Sequence, residues 1–308
     1  MKNDKIHSVL QYWGISAEPK LINNDTWAVG DNHLIKVYHD AGRLQRNMVI
    51  MKSLGESGIP VAGILPTLKG LDYIEEGGCC YLIMERLSGD PIQDIYQDNY
   101  RDIAYKTGSV VGRLHKAFLA CEKKIDCWNN SFAEEMTGWV SDTLKAKNYP
   151  YIAKSNCEYS IKKLLSCYDK LPKQLIHRDI HYGNLLFDQG EFSGYIDFDL
   201  SQKNVRVFDI SYFLAGLLVE HDKKKEDIAK WFDMVTAFVN GYERVNPLSN
   251  IEKDSISCLM ENIELLFAAY FLGEDMNDLA KNAAELYFFM SQNSDQIDIA
   301  VHKQFHVG

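Results

Sequence analysis

The chain has 308 residues, 46% of them hydrophobic, which is enough for a globule with a substantial core. Its formal net charge of −10 argues against a nucleic-acid partner, because phosphate backbones are bound by basic surfaces. Seven cysteines without a Cys-x-x-Cys pair do not form the pattern of a zinc site or a disulfide framework, and we expect reduced thiols.

The N-terminal segment, Met1 to His7, lacks the apolar core of a signal peptide. The apolar runs elsewhere, including the run from Tyr212 to Val219, fall short of the length that crosses a membrane. We therefore expect a cytoplasmic protein with no membrane partner.

Three short runs near the N-terminus predict β-strands. Residues 20–22, 26–29 and 33–38 are rich in apolar and β-branched side chains, and residues 30–32 predict a hairpin turn between the last two. Lys36 lies inside the third run, where a buried ammonium group requires an anionic partner. The alternative is a strand lysine that faces solvent.

The next two elements are a helix and a strand. Residues 43–54 have helical spacing of apolar side chains and end at glycines, and no Asp or Glu occurs between Asp40 and Glu56. The apolar run from Cys80 to Met84 predicts a strand that continues into a polar segment.

Beyond residue 91 the pattern is mostly helical. Before the central motif we expect helices at 103–119, 132–147 and 158–171, with His115 packed in the core.

The segment 175–199 carries the most specific pattern in the chain. His-Arg-Asp at 177–179 is followed five residues later by Asn184, and a second apolar run, predicted as a strand from 192 to 198, contains Asp197. This is the catalytic-loop pattern of phosphoryl transfer from ATP, in which an Asp takes the proton of the acceptor hydroxyl. An Asn and a second Asp are hard oxygen ligands that suit Mg²⁺. We therefore expect Asp179 to be catalytic, Asn184 and Asp197 to bind the metal, and ATP and Mg²⁺ to be the cofactors.

The last hundred residues predict helices at 226–242 and over 251–290. The span from Glu261 to Asp278 holds five acidic residues and no basic one. As the wall of an acceptor site this span would favour a cationic acceptor. A solvated helix face is the alternative.

The motif resembles the aminoglycoside phosphotransferase and choline kinase superfamily. The family loop reads His-Gly-Asp-(Leu/Ile)-His-x-Gly-Asn-(Ile/Leu)-Leu, and residues 177–186 read His-Arg-Asp-Ile-His-Tyr-Gly-Asn-Leu-Leu, so Arg178 stands where the family has Gly. Ile-Asp-Phe at 196–198 and Phe-Asp-Ile-Ser at 208–211 match the elements that follow. The resemblance covers most of residues 20–215.

The resemblance implies an α+β, bilobal, protein-kinase-like fold with a small β-rich N-lobe and a larger, mostly helical C-lobe. It implies a nucleotide-binding lobe over residues 1–84, a hinge at 85–91, and a catalytic and acceptor-binding lobe over 92–308.

The resemblance also implies roles for nucleotide-binding residues. Lys36 would hold the ATP phosphates, and Asn24 would lie in the loop that covers them. Met84 would pack behind adenine, and the backbone of Glu85 and Leu87 would bond its edge.

Two further positions follow from the alignment with the family. Asn47 stands where the family has the Glu that pairs with the ATP lysine, so the partner of Lys36 stays open. We expect Asn47→Glu to raise kcat/KM for ATP if residue 47 faces Lys36. Asp209 is expected to accept hydrogen bonds from the backbone of the catalytic loop.

The predicted function is ATP-dependent transfer of the γ-phosphoryl group to a hydroxyl of a small molecule, such as an aminoglycoside, an amino alcohol, homoserine or a sugar. One alternative is a nucleotide-binding pseudokinase that acts as an interaction module. A protein kinase fits less well, because only eleven residues separate Asp197 from Asp209 and no Ala-Pro-Glu follows.

Overall fold

The structure, a computed structural model, describes residues 2–125, 130–219 and 225–304. The chain divides into two compact units. The first, here called the strand unit, comprises Met1–Ile92, Lys123–Ile125 and Tyr182–Asp199. The second, here called the helical unit, comprises Gln93–Glu122, Asp126–His181 and Leu200–Gly308. The functional division at residues 84 and 92 stays a prediction.

The described part of the chain forms short strands and longer helices. In chain order, the strands are β1 (Pro19–Asn23), β2 (Thr26–Val29), β3 (His33–Tyr38), β4 (Ile64–Leu65), β5 (Ile74–Glu76), β6 (Cys79–Glu85), β7 (Lys173–Ile176), β8 (Leu185–Asp188), β9 (Glu191–Tyr195) and β10 (Gln202–Val205). The helices are α1 (Lys2–Leu10), α2 (Ala41–Glu56), α3 (Tyr100–Cys121), α4 (Phe132–Glu135), α5 (Ser141–Ala146), α6 (Lys154–Tyr168), α7 (Val207–Gly216), α8 (Lys225–Val245), α9 (Asn250–Lys253), α10 (Ile256–Gly273), α11 (Asn277–Gln292) and α12 (Ser294–His302).

The main sheet of the strand unit is antiparallel, in the order β1–β2–β3–β6–β4, with β5 also paired to β6. The three predicted N-terminal strands are confirmed. Side chains alternate between the two faces of a strand, so Ile35 and Val37 face one core while Tyr38 packs with Leu44 of α2 on the other side. Lys36 shares the face of Tyr38 by the same alternation.

A hairpin of β8 and β9 completes the strand unit. At its turn, both Gln189 and Gly190 have positive φ, as tight hairpin turns require. The predicted strand over 192–198 is too long, because β9 ends at Tyr195. Asp197 has a φ of +62°, and a left-handed residue cannot continue a strand.

Helices α3 and α8 pack closely in the helical unit because glycines lie at their crossing. A Cβ atom on Gly108 would lie 1.9 Å from the carbonyl oxygen of Phe238, and one on Gly241 would lie 2.0 Å from that of Tyr105. The two backbones therefore approach as closely as only glycine permits.

Two expectations about the helices are wrong in detail. The predicted helix over 132–147 is interrupted by a π-turn, Met136–Val140, where Gly138 has non-helical backbone angles. The helical stretch Asn250–Gly273 is long and apolar enough to cross a membrane, contrary to the expectation that no run reaches that length. However, 72% of its apolar window is buried, and α10 packs against α6, α7 and α11 as a core helix does.

Candidate active site

A cavity of about 550 Å³ in the strand unit gathers all five residues that were predicted to bind nucleotide. Six predicted site residues line it: Asn24, Lys36, Met84, Glu85, Leu87 and Asp197. A larger groove of about 740 Å³, between residues 11–12 and 67–75, contains none of them. Size therefore does not identify the site here, whereas the side-chain chemistry does.

The predicted hinge follows directly from β6. The strand places Met84 at the cavity wall, and the amide N–H of Glu85 donates to the carbonyl oxygen of Gly63 at 2.8 Å. That bond engages the N–H of Glu85 within the protein. The N–H of Glu85 is therefore not available to the edge of a bound base.

Lys36 has two carboxylate partners. Its Nζ lies 2.8 Å from Oδ2 of Asp199 and 3.0 Å from Oδ1 of Asp197. Burial opposes the charge of Lys36, but Tyr38 and the two aspartates outweigh that effect and hold its pKa above the ordinary value. The anionic partner that the sequence required is therefore present, and it comes from the segment after β9.

Asn47 faces the same cluster from α2. Its buried amide Nδ2 donates to the hydroxyl oxygen of Tyr38 at 3.2 Å and makes a short hydrogen bond to Oδ1 of Asp199. The tyrosine hydroxyl also donates to this oxygen, at 3.3 Å. Burial raises the pKa of Tyr38 to about 12, so its hydroxyl stays protonated and can donate.

The predicted gain from Asn47→Glu does not follow from this geometry. The alignment of α2 with the family correctly places Asn47 beside the residues around Lys36. However, its amide bonds to the carboxylate of Asp199 and to Tyr38. A glutamate at position 47 would bring a second carboxylate against Asp199, and like charges at short range repel.

The two predicted metal ligands lie at the same end of the β8–β9 hairpin, Asn184 just before β8 and Asp197 two residues after β9. Asn184 ends a 3₁₀ turn, and its carbonyl oxygen accepts from the amide N–H of Ile196 at 3.1 Å. The side chain of Asp197 is 45% exposed and lines the cavity. Among the described residues, no group of three or more His, Cys, Asp or Glu side chains is arranged to hold a metal ion.

The remaining predicted residue, Asp179, belongs to the helical unit. Its Oδ1 accepts a hydrogen bond of 2.7 Å from the hydroxyl of Tyr212 on α7. Burial and the adjacent Asp179 both raise the pKa of Tyr212, so the tyrosine is protonated and acts as the donor. One oxygen of Asp179 is thus fixed by the protein.

The backbone of the catalytic loop is tied down by Asp209, as predicted. This buried carboxylate accepts from the amide N–H groups of His177 at 2.8 Å and Arg178 at 2.9 Å. His115 is buried, as expected, and its Nε2 lies 3.0 Å from Asp209.

Arg178 has a left-handed backbone at the position where the family has glycine. Its φ is +72°, a conformation that glycine adopts at no steric cost and other residues adopt at a cost. Its side chain compensates, because Nη2 lies 2.5 Å from Glu135 and the guanidinium lies 4.0 Å above the ring of Phe208.

Two partners in the site were not predicted from the sequence, and one of two open interpretations is disfavoured. Asp199 and Tyr212 carried no motif that marked them as partners of Lys36 and Asp179. The acidic span does not form one charged wall, because Glu261 is buried against Lys163 at 3.0 Å and Asp275 pairs with Lys147 at 2.5 Å. Near Tyr212 lie aromatic rings instead, with Phe267 at 5.9 Å between ring centroids and Phe271 a further 5.9 Å away.

The model of the phosphotransferase enzyme family matches residues 19–248. The chain belongs to this family. Two curated relatives are amicoumacin kinase of Bacillus subtilis (strain 168), 26% identical over 233 residues, and homoserine kinase of Polaromonas naphthalenivorans (strain CJ2), 24% identical over 230 residues. The matches cover 70% and 68% of this chain and slightly less than two thirds, 66% and 64%, of those relatives.

A solved structure gives the fold of this phosphotransferase family member. The amicoumacin kinase hAmiN, in complex with AMP-PNP, Ca²⁺ and Ami, superposes with a TM-score of 0.68 at 17% identity over 93% of each chain. The expected α+β fold of the protein-kinase-like small-molecule kinases is therefore confirmed.

Proposed function

We propose that this phosphotransferase moves the γ-phosphoryl group of ATP to a hydroxyl group of a small molecule, with Mg²⁺ as the metal. The observation that carries the proposal is the cavity that gathers Lys36, Asp197 and the hinge residues in one place. A cationic group, a hard oxygen ligand and an apolar wall are what the phosphates, the metal and the base of a nucleotide require.

In this proposal, each predicted nucleotide-binding residue has one role. Met84 forms the wall behind adenine, while the carbonyl oxygen of Glu85 and the backbone of Leu87 bond its edge. Lys36 holds the phosphates, and Asn24 covers them.

Asn184 and Asp197 fit a Mg²⁺ ion, because both offer oxygen and the carboxylate is accessible from the cavity. Such an ion usually takes only one or two carboxylates from the protein and completes its shell with phosphate oxygens and water. When bound, it neutralises charge that develops on the transferred group.

Asp179 is the proposed general base. Its Oδ1 is bonded to Tyr212, which fixes the direction of the carboxylate. The other oxygen, Oδ2, lies 3.8 Å from Nε2 of His181 and is the atom that would accept the proton of the acceptor hydroxyl.

We further propose that the acceptor carries an amine. Named relatives act on amicoumacin and homoserine, and a structural neighbour is an aminopropanol kinase. The rings of Tyr212 and Phe267 near Asp179 suit a cation, because aromatic faces attract positive charge. The reaction would take place in the cytoplasm, where ATP is available and the described cysteines, all free thiols, stay reduced.

A panel assay tests the proposal. Purified protein with Mg²⁺ and γ-labelled ATP is offered amino alcohols, aminoglycosides, homoserine, sugars and matched deaminated analogues, and label transfer is measured. We expect transfer to an amine-bearing alcohol that is lost with Asp179→Asn. ATP binding without transfer to any acceptor in the panel would favour the pseudokinase alternative.

A further inference from the structure

The cluster around Lys36 contains two carboxylates with different surroundings. Asp197 contacts Lys36 through one oxygen, and its side chain is 45% exposed. Asp199 is 20% exposed, and both of its oxygens are engaged: Oδ2 with Lys36, and Oδ1 with Asn47 and Tyr38. Asp197 is thus the more accessible of the two carboxylates, whereas both oxygens of Asp199 are engaged by the protein.

The neutral amide at position 47 matches this arrangement. A carboxylate oxygen needs a donor, and Asn47 supplies an N–H group without adding charge. The cluster therefore has one ammonium group, one resident carboxylate and one accessible carboxylate. If position 47 were acidic and Asp199 were retained, two resident carboxylates would share one lysine.

We propose that Asp199, braced by Asn47, is the resident counter-ion of Lys36, so that the carboxylate usually supplied by the helix is supplied by the segment after β9. Asp199 is a positioning residue, since it acts on the nucleotide through Lys36. This inference rests on the proposed function of the cavity as an ATP site. It assigns separate duties to the two aspartates: Asp197 serves the metal, and Asp199 keeps Lys36 in place while the metal is bound.

Under this proposal, the carboxylate that pairs with Lys36 can be supplied from position 47 or from position 199. A glutamate on α2 could replace the aspartate only if position 199 gave up its own carboxylate. A small cavity of about 50 Å³ borders Asn47, Lys36 and Asp199, which leaves room for the one additional methylene of a glutamate.

The experiment compares the wild type with Asp199→Asn, Asn47→Glu, the charge swap Asn47→Glu/Asp199→Asn, and the control Asn47→Gln/Asp199→Asn. In the control, the side chain at position 47 is as long as in the charge swap but carries no charge. For each protein, the Kd of MgATP is measured by calorimetry, kcat and KM for ATP are measured with the acceptor found in the panel, and thermal unfolding is followed.

We expect Asp199→Asn to lower kcat/KM for ATP by about tenfold or more, because losing one side of a largely buried ion pair costs more than losing an exposed pair. Asn47→Glu alone should lower it by a few-fold through repulsion. The swap should return to within about threefold of wild type, and the uncharged control should stay as impaired as Asp199→Asn. In a Lys36→Ala background, none of these changes should alter the Kd of MgATP.

Several results would overturn the inference. The first is a kcat/KM for ATP of Asp199→Asn that lies within about twofold of the wild-type value. The second is equal recovery of kcat/KM in the charge swap and in the uncharged control. The third is a charge-swap protein that folds but recovers no kcat/KM. Loss of Mg²⁺ dependence in Asp199→Asn would make Asp199 a metal ligand instead. If the wild type transferred no phosphoryl group, only the proposed function would be contradicted. The Kd values of MgATP for the variants would still test the role of Asp199.

Discussion

The strand unit and the helical unit each contain one residue that departs from the family pattern, and each departure is compensated within its own unit. In the strand unit, Asn47 replaces a glutamate, and Asp199 provides the carboxylate that Lys36 needs. In the helical unit, Arg178 replaces a glycine, and contacts with Glu135 and Phe208 offset a left-handed backbone. The compensation by Asp199 keeps a negative charge beside Lys36, whereas the contacts of Arg178 stabilise a backbone conformation. Substitutions at Asn47 or Asp199 should therefore affect catalysis, whereas substitutions at Arg178 should affect stability.

The largest effect is expected at the proposed base. Asp179→Asn should lower kcat by about 10²–10⁴, the range for loss of general-base catalysis, because an amide cannot take the proton of the acceptor. The Kd of MgATP should change by no more than a few-fold, since the cavity residues remain. Calorimetry beside a turnover assay checks both values, and near-normal turnover would remove Asp179 from the mechanism.

The next effect concerns the accessible carboxylate. Asp197→Ala should weaken MgATP binding by about tenfold or more, because the proposed direct ligand of the metal is lost. Unlike Asp199→Asn, it should also abolish the difference between binding with Mg²⁺ and binding with EDTA. Titrations of wild type and variant in both media test this. Equal affinity of the wild type for ATP with Mg²⁺ and with EDTA would contradict the proposed metal site.

A smaller effect is expected at the tyrosine that holds the base. Tyr212→Phe keeps the ring beside Phe208 and Phe267 but removes the hydroxyl donor to Asp179. We expect kcat to fall by about three- to thirtyfold, with KM for ATP unchanged, because one ordinary to charge-assisted hydrogen bond is lost. A change confined to KM for ATP would show that Tyr212 does not act through Asp179.

The smallest effect should appear in stability. Arg178→Ala keeps the left-handed backbone but loses both side-chain contacts, whereas Arg178→Gly loses the contacts and the steric cost together. We expect the free energy of unfolding of Arg178→Gly to exceed that of Arg178→Ala by about 1 kcal/mol. Urea unfolding of the two variants measures the difference, and an equal or reversed order would mean that the backbone at 178 is not strained.

The sequence was sufficient for features that depend on local pattern. Strand alternation placed Lys36 correctly, and the spacing in the catalytic loop selected Asp179, Asn184 and Asp197 as candidates. The interruption at Gly138 was missed, because the spacing of apolar residues over 132–147 does not record where the backbone departs from the α-helix.

Contacts between distant residues could not be read in the same way. Asp199 bonds to Asn47 across 152 positions of sequence, and nothing in either local pattern records that pairing. The acidic span shows the same limit, since nothing in its pattern indicated that Glu261 pairs with Lys163 on another helix. Periodicity predicts which side of an element is buried, but it does not identify the side chain opposite.

The single carboxylate of Asp209 has a consequence for how acceptor preference can diverge. It holds the catalytic loop by two amide groups of the main chain, which every residue type except proline possesses. These two hydrogen bonds therefore do not depend on which side chains the loop carries. If the proposed transfer takes place here, side chains of the loop can be exchanged, in a lineage or in the laboratory, without loss of these two bonds.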